Sequence, residues 1–369
     1  MILTALLGQL VLAATAVSGQ ERAVALDTLR PRAGLTAPFA HVTGVHELDD
    51  GRLVVLDSIS KTISLVDLSR DSVVQIGREG DGPGEYRLPV RLLSFGTDAC
   101  AIVDLARSRA MLIVDGEGRL TSQSLLGTRD NPGPNAPYAV DSMRHVYSLV
   151  RPASGGVHGD SMIIARWQLS PWKRDSLGRI SILPVSLLPV AAGSHDPPPF
   201  TTYDDWAVAR DGWIAIASAQ PYRVTLISPT GERTVGPAVL YTPERVTTAH
   251  RQEWRLDRER PRTQYLLESG GLVGVTARAP YVPPARWPDV LPAFLRRATR
   301  FAPDGSVWVH RAGLASQHQQ IDVFDRDARR LRRIVLPPYS RIAGFGSQAV
   351  YVATRDRDDL ERVVRFGFP

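Results

Sequence analysis

Eight histidines, one cysteine and 38 carboxylates are the groups with which this chain could do chemistry. The histidines are His41, His46, His145, His158, His195, His250, His310 and His318, and none stands in an H-x-x-x-H or H-E-x-x-H arrangement. A zinc centre needs imidazoles spaced to meet on one ion, so it has no support here. Cys100 sits inside an apolar run and has no second cysteine to pair with. It reads as a buried, inert thiol rather than a nucleophile. No G-x-S-x-G elbow occurs, and such an elbow is what presents a serine nucleophile for attack. Adjacent acids such as Asp49/Asp50 and Asp358/Asp359 fall in turns and point apart, which suits solvation better than general acid–base work. His310 ends a strand and reads as a structural histidine. The sequence therefore predicts no catalytic residue and no metal ligand.

The elements that would position any site begin with Gly77-Arg78-Glu79-Gly80-Asp81-Gly82-Pro83-Gly84-Glu85-Tyr86. Four glycines and a proline in ten residues forbid both helix and strand, so the stretch must be a shaped loop. A phosphate cradle is excluded, because no Lys-Ser/Thr and no helical period follow. Strand-like runs flank it on both sides, Ser72–Ile76 before and Leu88–Phe95 after.

Self-similarity along the chain is the strongest organising signal. Six segments share an apolar strand, a tight turn, a second apolar strand, a polar gap and a third strand. The second strands read Leu53–Asp57, Cys100–Asp104, Val146–Val150, Trp213–Ala217, Val307–Arg311 and Val350–Thr354. The third strands read Ile63–Asp67, Met111–Asp115, Ile163–Trp167, Val224–Ser228, Ile321–Asp325 and Arg362–Phe366. Three of the five intervals between copies fall in the forties, the period of a propeller blade, and two are longer. Asp50-Gly51, Asp211-Gly212 and Asp304-Gly305 supply hairpin turns before second strands. The predicted fold is all-β, a six-bladed propeller of four-stranded antiparallel blades with one short helical insertion. Blades fall near 41–77, 88–126, 137–182, 201–240, 296–336 and 340–368, in one domain spanning 20–369, with insertions at 183–200 and 241–295.

The loop GREGDGPGEY resembles the G-x-x-G-x-G-P-G-E-aromatic signature of exported bacterial six-bladed β-propellers, relatives of the NHL-repeat proteins. Val103-Asp104-Leu105-Ala106-Arg107-Ser108-Arg109 is similar to the Asp-x-x-Asn-x-Arg turn of NHL repeats, with Arg107 in place of the Asn. The resemblance implies a propeller and export, and it leaves function open. Lactonase-type propellers hold a cation at the channel mouth with Glu, Asn and Asp. This chain has only two asparagines, Asn131 and Asn135, both in one loop, and Asp204 and Asp205 read as a turn at a blade entry.

Composition narrows the rest. The net charge is +6, with 44 basic and 38 acidic residues, and every basic residue except Lys61 and Lys173 is an arginine. The arginines are scattered, without the basic stripe and interleaved aromatics that would point to nucleic acid. Hydrophobic content of 43% suffices for a core. Residues 1–19 read as a signal peptide, an apolar run too short for a span that ends in Val17-Ser18-Gly19. The expected location is periplasmic or extracellular, with no stable membrane insertion after cleavage.

A ring must seal its ends, and the run Ala23–Leu29 is expected to supply the outer strand of the last blade. In the longer insertion, Thr242-Pro243-Glu244 is expected to open a helix carrying Val246, His250, Trp254 and Asp257 and stopping near Pro261. An extra strand is expected at Leu272–Ala277, and the proline–aromatic segment Pro280–Pro288 should lie across the propeller surface.

Candidate binding residues are Glu85 and Arg87 in the signature loop, Tyr203 and Asp205 at the entry to blade four, and Tyr281 and Trp287 in the insertion. Glu85 also reads as an acceptor for the loop's own N–H groups. The sequence points to a non-catalytic, monomeric binding or scaffold protein without a cofactor, recognising a protein or glycan with its insertion-bearing face. The alternative is a calcium-dependent lactonase- or esterase-type hydrolase or lyase.

Overall fold

A computed structural model describes residues 25–95, 98–107, 110–126, 133–134, 137–152, 161–181, 199–201, 203–268, 271–277 and 281–369. Six sheets built on antiparallel strands follow one another along the chain, the first four with all their strands in sequential order and the last two each joined by a strand from the N-terminal segment. Blade one consists of Val42–Glu47, Leu53–Asp57, Thr62–Asp67 and Ser72–Gln75. Blade two is Pro89–Ser94, Cys100–Asp104, Ala110–Val114 and Leu120–Leu125, and blade three Ala139–Val140, Val146–Val150, Ser161–Leu169 and Trp172–Ser181. Blade four is Asp205–Val208, Ile214–Ala219, Tyr222–Ile227 and Arg233–Val235. Blade five is Phe294–Phe301, Val307–Arg311, Gln319–Phe324 and Arg330–Leu336. Blade six takes Ser340–Phe345, Ala349–Arg355 and Glu361–Gly367 from the end of the chain. The chain is a six-bladed β-propeller.

The second strands are apolar on both faces because each blade is covered by a neighbour on either side. Leu53–Asp57 and Cys100–Asp104 are buried at every position. Six apolar clusters result, one at each junction between adjacent blades. Val54, Leu56, Cys100 and Ile102 join blades one and two, while Trp308, Ile321, Val350 and Phe366 join five and six. Leu35, Val42, Tyr351 and Val363 complete the circle between six and one. Each fully buried aliphatic or aromatic side chain contributes about 1.5–3 kcal/mol, so the interfaces hold the ring without a disulfide. Cys100 is fully buried among them, and burial pushes its thiol pKa up.

Closure uses a different segment from the one the alternation suggested. Pro31–Gly34, not Ala23–Leu29, is the outer strand of blade six, antiparallel to Glu361–Gly367 with Pro31 opposite Phe366. Ala25–Thr28 instead adds a fifth, parallel strand to blade five beside Arg332–Val335. A proline is tolerated at the first position of an edge strand, which is why Pro31-Arg32-Ala33-Gly34 can pair although it reads as a turn.

The insertion also departs from expectation at its start. The helix α1 spans Thr248–Glu259, capped by Thr247 with a reciprocal box to His250, so the segment opening at Thr242 is extended rather than helical. The strand expected at Leu272–Ala277 exists as Gly271–Ala277 and pairs with Arg262–Glu268 in a hairpin. Among the described residues no helix is long and apolar enough to cross a membrane. The signal-peptide reading, insertion residues 183–198, Asn131, Asn135, His158 and His195 lie outside the described residues.

Candidate functional site

The first strands of all six blades surround an axial cavity of about 1070 Å³. Its mouth is formed by the turns between first and second strands, among them Asp49–Arg52, Arg210–Asp211 and Gly346–Ser347. The opposite face, where second strands turn into third strands, carries the insertion. There Glu253 of α1 accepts the N–H groups of Ala315 (2.7 Å) and Ser316 (3.1 Å) from blade five. Arg260 pairs with Asp359 of blade six at 3.0 Å. The hairpin beyond the helix reaches the 3₁₀ turn Leu105–Arg107 of blade two, which in a ring of six lies diametrically across from blade five. The insertion therefore runs over one end of the channel, and the cavity opens at the other.

Blade five shapes the cavity wall. Its first strand pairs Phe294 with Arg311 and then Thr299 with Val309, so Leu295–Ala298 bulge out of the ladder. Bulges of this kind re-aim side chains. Arg297 takes φ +62°, a left-handed conformation uncommon for a residue with a Cβ and often found where function requires it. Asp205 of blade four fixes the bulge by accepting the backbone N–H groups of Arg297 (3.1 Å) and Thr299 (2.7 Å). Burial raises the Asp205 carboxyl pKa, opposed by those hydrogen bonds and by the charge of Arg300. The Thr299 hydroxyl stands near enough to Asp205 to help hold its charge, yet makes no hydrogen bond of ordinary geometry.

Arginine dominates the wall. Arg297 and Arg300 line it together with Arg91, whose guanidinium lies 4.8 Å above the ring of Tyr138 and donates to the Pro137 carbonyl at 2.6 Å. Tyr138 stacks on Trp206 with centroids 4.2 Å apart and donates its hydroxyl to the Trp206 carbonyl at 2.9 Å. Burial, reinforced by Asp205, pushes the Tyr138 phenol up to about 12. Burial and the neighbouring Arg341 charge hold the Arg300 guanidinium below the usual arginine range. Beyond Arg300, His310 bonds Gln319 at 3.1 Å and is lowered by burial and by the Arg300 and Arg341 charges. His46 faces the cavity from blade one, lowered to about 4 by burial and by Arg210.

The signature loop works differently. Glu85 accepts the Gly82 N–H at 2.6 Å and the Arg78 guanidinium at 2.6 Å, and Arg87 pairs with Asp81. Both candidates are thus engaged within the loop itself. Asp104 anchors the loop's end by accepting the N–H groups of Arg87 (2.9 Å) and Leu88 (2.9 Å). Asp57 does the same for Ala40 (2.7 Å) and His41 (3.2 Å) one blade earlier, so the aspartate that ends the second strand repeats its role in two blades.

Tyr203 is half-buried at the approach to blade four. Tyr281 and Trp287 come together around Trp254 of α1, with centroids 6.1 and 5.3 Å from it. Arg251, Arg255 and Arg258, on one side of the helix, lie over Trp287, Tyr281 and Trp254 at 5.5, 5.2 and 4.8 Å. Phe200 joins this group, its ring tilted by 43° and 6.1 Å from Trp287. The candidates therefore separate into a loop pair, an insertion pair, and the half-buried Tyr203 and buried Asp205 at the entry to blade four. Sequence reasoning missed the cavity arginines; the available signal was a pair of arginines, Arg296-Arg297, interrupting the strand pattern at a blade entry.

No family model matches the chain and no curated protein matches it by sequence. In fold it is similar to the calcium-binding protein regucalcin from Agrobacterium tumefaciens, at 11% identity over 94% of this chain and 98% of that one, with a TM-score of 0.46. It is also similar to virginiamycin B lyase from Staphylococcus aureus, at 9% identity over 92% and 99% of the two chains, TM-score 0.39. A luciferin-regenerating enzyme shares 11% identity over 92% of this chain and 95% of its own, TM-score 0.43. The propeller assignment rests on the chain's own sheet topology, and these likenesses supply no functional residue.

Proposed function

We propose that this protein is an exported, monomeric binding propeller of the NHL-like kind, non-catalytic, which recognises a protein or glycan partner with its insertion-bearing face. The observation that carries the reading is the arginine–aromatic ladder on α1: three guanidiniums stacked on Trp254, Tyr281 and Trp287. Arg251 and Arg255 are exposed, as are Val282 and Leu256 beside them. Rigid aromatics anchor a partner at little entropic cost, and Arg251, stacked on Trp287, suits an acidic group, whereas Arg255 already pairs with Glu259 at 2.7 Å. An acidic glycan or an acidic protein surface suits that combination.

A calcium-dependent lactonase-type hydrolase or lyase is less well supported. Among the described residues no three His, Cys, Asp or Glu side chains gather as a metal site. The channel wall, where such an ion would sit, is lined by arginines that repel a cation. Nucleic acid is not the proposed partner, and steeply salt-dependent retention on DNA would argue otherwise.

Tryptophan fluorescence titrated with oligogalacturonate, and with a neutral oligosaccharide of equal length, tests the reading. We expect saturable quenching by the acidic probe and at least a tenfold weaker response in Trp254→Ala and Arg251→Ala. Equal affinity in the variants, or no response to the acidic probe, would overturn the glycan form of the proposal.

A further inference from the structure

We infer that the axial cavity is a binding site for a small organic oxyanion, a carboxylate or a phosphate ester, held by the guanidiniums of Arg297 and Arg300 with Arg91 and the Tyr138–Trp206 pair beside them. This site opens on the face opposite the insertion and does not depend on the reading above.

Two observations carry it. The first is an imbalance of charge with depth. At the mouth, acids and bases are matched: Asp50 pairs with Arg52 at 2.5 Å and Asp211 with Arg326 at 2.9 Å. Glu47 is held there by Tyr351 and by Ser347. Deeper in, the guanidiniums of Arg297 and Arg300 have no hydrogen-bond or ion-pair partner among the described residues. The carboxylate that acts on Arg300, Asp205, is turned to the backbone N–H groups of the bulge. Arg300 is half-buried with the cations Arg297 and Arg341 acting on it, an arrangement that a bound anion relieves.

The second observation is the bulge. Breaking the ladder at Leu295–Ala298 and holding Arg297 at positive φ costs stability. A buried carboxylate from the neighbouring blade is arranged to keep that conformation, and its effect is to aim Arg297 at the cavity beside Arg300. Planar guanidiniums suit bidentate contact with carboxylate or phosphate oxygens.

The size and the lining of the cavity agree with this. A volume of about 1070 Å³ lies at the upper end of small-molecule sites, which favours an organic anion over a bare inorganic one. The Tyr138–Trp206 stack offers that ligand's carbon skeleton a flat apolar wall.

Thermal unfolding at constant ionic strength tests the site, with citrate as the carboxylate probe and glycerol phosphate as the phosphate probe. Near-saturating ligand should raise the wild-type Tm by a few degrees with at least one probe, and the responding arm names the source. Arg300→Met, which keeps volume and removes an unpaired cation, should leave the probe-free Tm unchanged or higher while abolishing the shift. Arg326→Met at the mouth should keep the shift and serves as the folded control. The proposal is overturned if neither probe shifts the wild type. It is equally overturned if Arg300→Met retains the shift, or if that variant lowers the probe-free Tm as the loss of a structural ion pair would.

Discussion

Blade five carries two arginine clusters that resolve their charge in opposite ways. Around Asp322, fully buried, stand Arg333 at 2.9 Å, Arg311 at 3.4 Å and Arg330 at 3.6 Å, with the Tyr222 hydroxyl donating at 3.1 Å. Arg311 also lies over the rings of Tyr222 and Tyr241, which fastens blade five to blade four. On the cavity side of the same blade, Arg297 and Arg300 stand beside a carboxylate already committed to backbone N–H groups. The first cluster is closed and structural. The second is open, and the difference teaches that arginine content alone says nothing; the location of the acids does.

Asp322→Ala should expose this contrast most strongly. It strands three cations and a phenol at a position with no access to water, and breaking such a buried pair costs about 3–5 kcal/mol. A fall in Tm of several degrees by calorimetry is expected, against no loss for Arg300→Met; equal losses would erase the distinction between the clusters.

Acid titration sharpens it next. Burial alone would raise the Glu361 carboxyl, but hydrogen bonding from His41 and the charge of Arg341 outweigh it and hold the group at about 2. Its folded pKa is therefore depressed from 4.5. The stabilisation is complete above pH 4.5 and is lost as pH falls toward 2, on the order of 3 kcal/mol in all. His46 acts in another window: held at about 4 rather than 6.5, it stays neutral when folded, and stability declines as pH falls from 6.5 to 4 while the unfolded chain takes up a proton. Denaturant melts against pH should show both limbs, Glu361→Gln flattening the lower and His46→Gln the upper. A single shared limb would contradict the assignment.

The smallest effect belongs to the signature loop. Gly77 has φ +69°, and a Cβ there would sit 2.8 Å from the Gly84 carbonyl oxygen. Gly77→Ala should cost about 1–3 kcal/mol, read as a lower urea midpoint, with the citrate or glycerol phosphate response of the cavity intact.

The repeat, the blade order and the hairpin turns were legible because each follows from local rules. Gly51, Gly212 and Gly305 take φ of +84°, +83° and +82° where Asp-Gly pairs forecast hairpins, and the second strands begin and end within two residues of the pattern. The helix start was misplaced because Thr242-Pro243-Glu244 has the composition of an N-terminus, whereas Thr247 and His250 form the cap actually used. The closing strand was misplaced because Ala25–Thr28 and Pro31–Gly34 both find partners, and only assembly decides which blade each one joins. The cavity was illegible for a related reason. Arg91, Arg300, Thr43 and His46 come from three different blades, so no window along the chain holds them together. The bulge that turns Arg297 inward is set by Asp205, on another blade again.

The pairing of Pro31 with Phe366 has a consequence for how the molecule comes into being. The two strands that seal blade six lie near opposite ends of the described residues, so this seam has the most non-local contacts in the fold and carries the largest loop-closure cost.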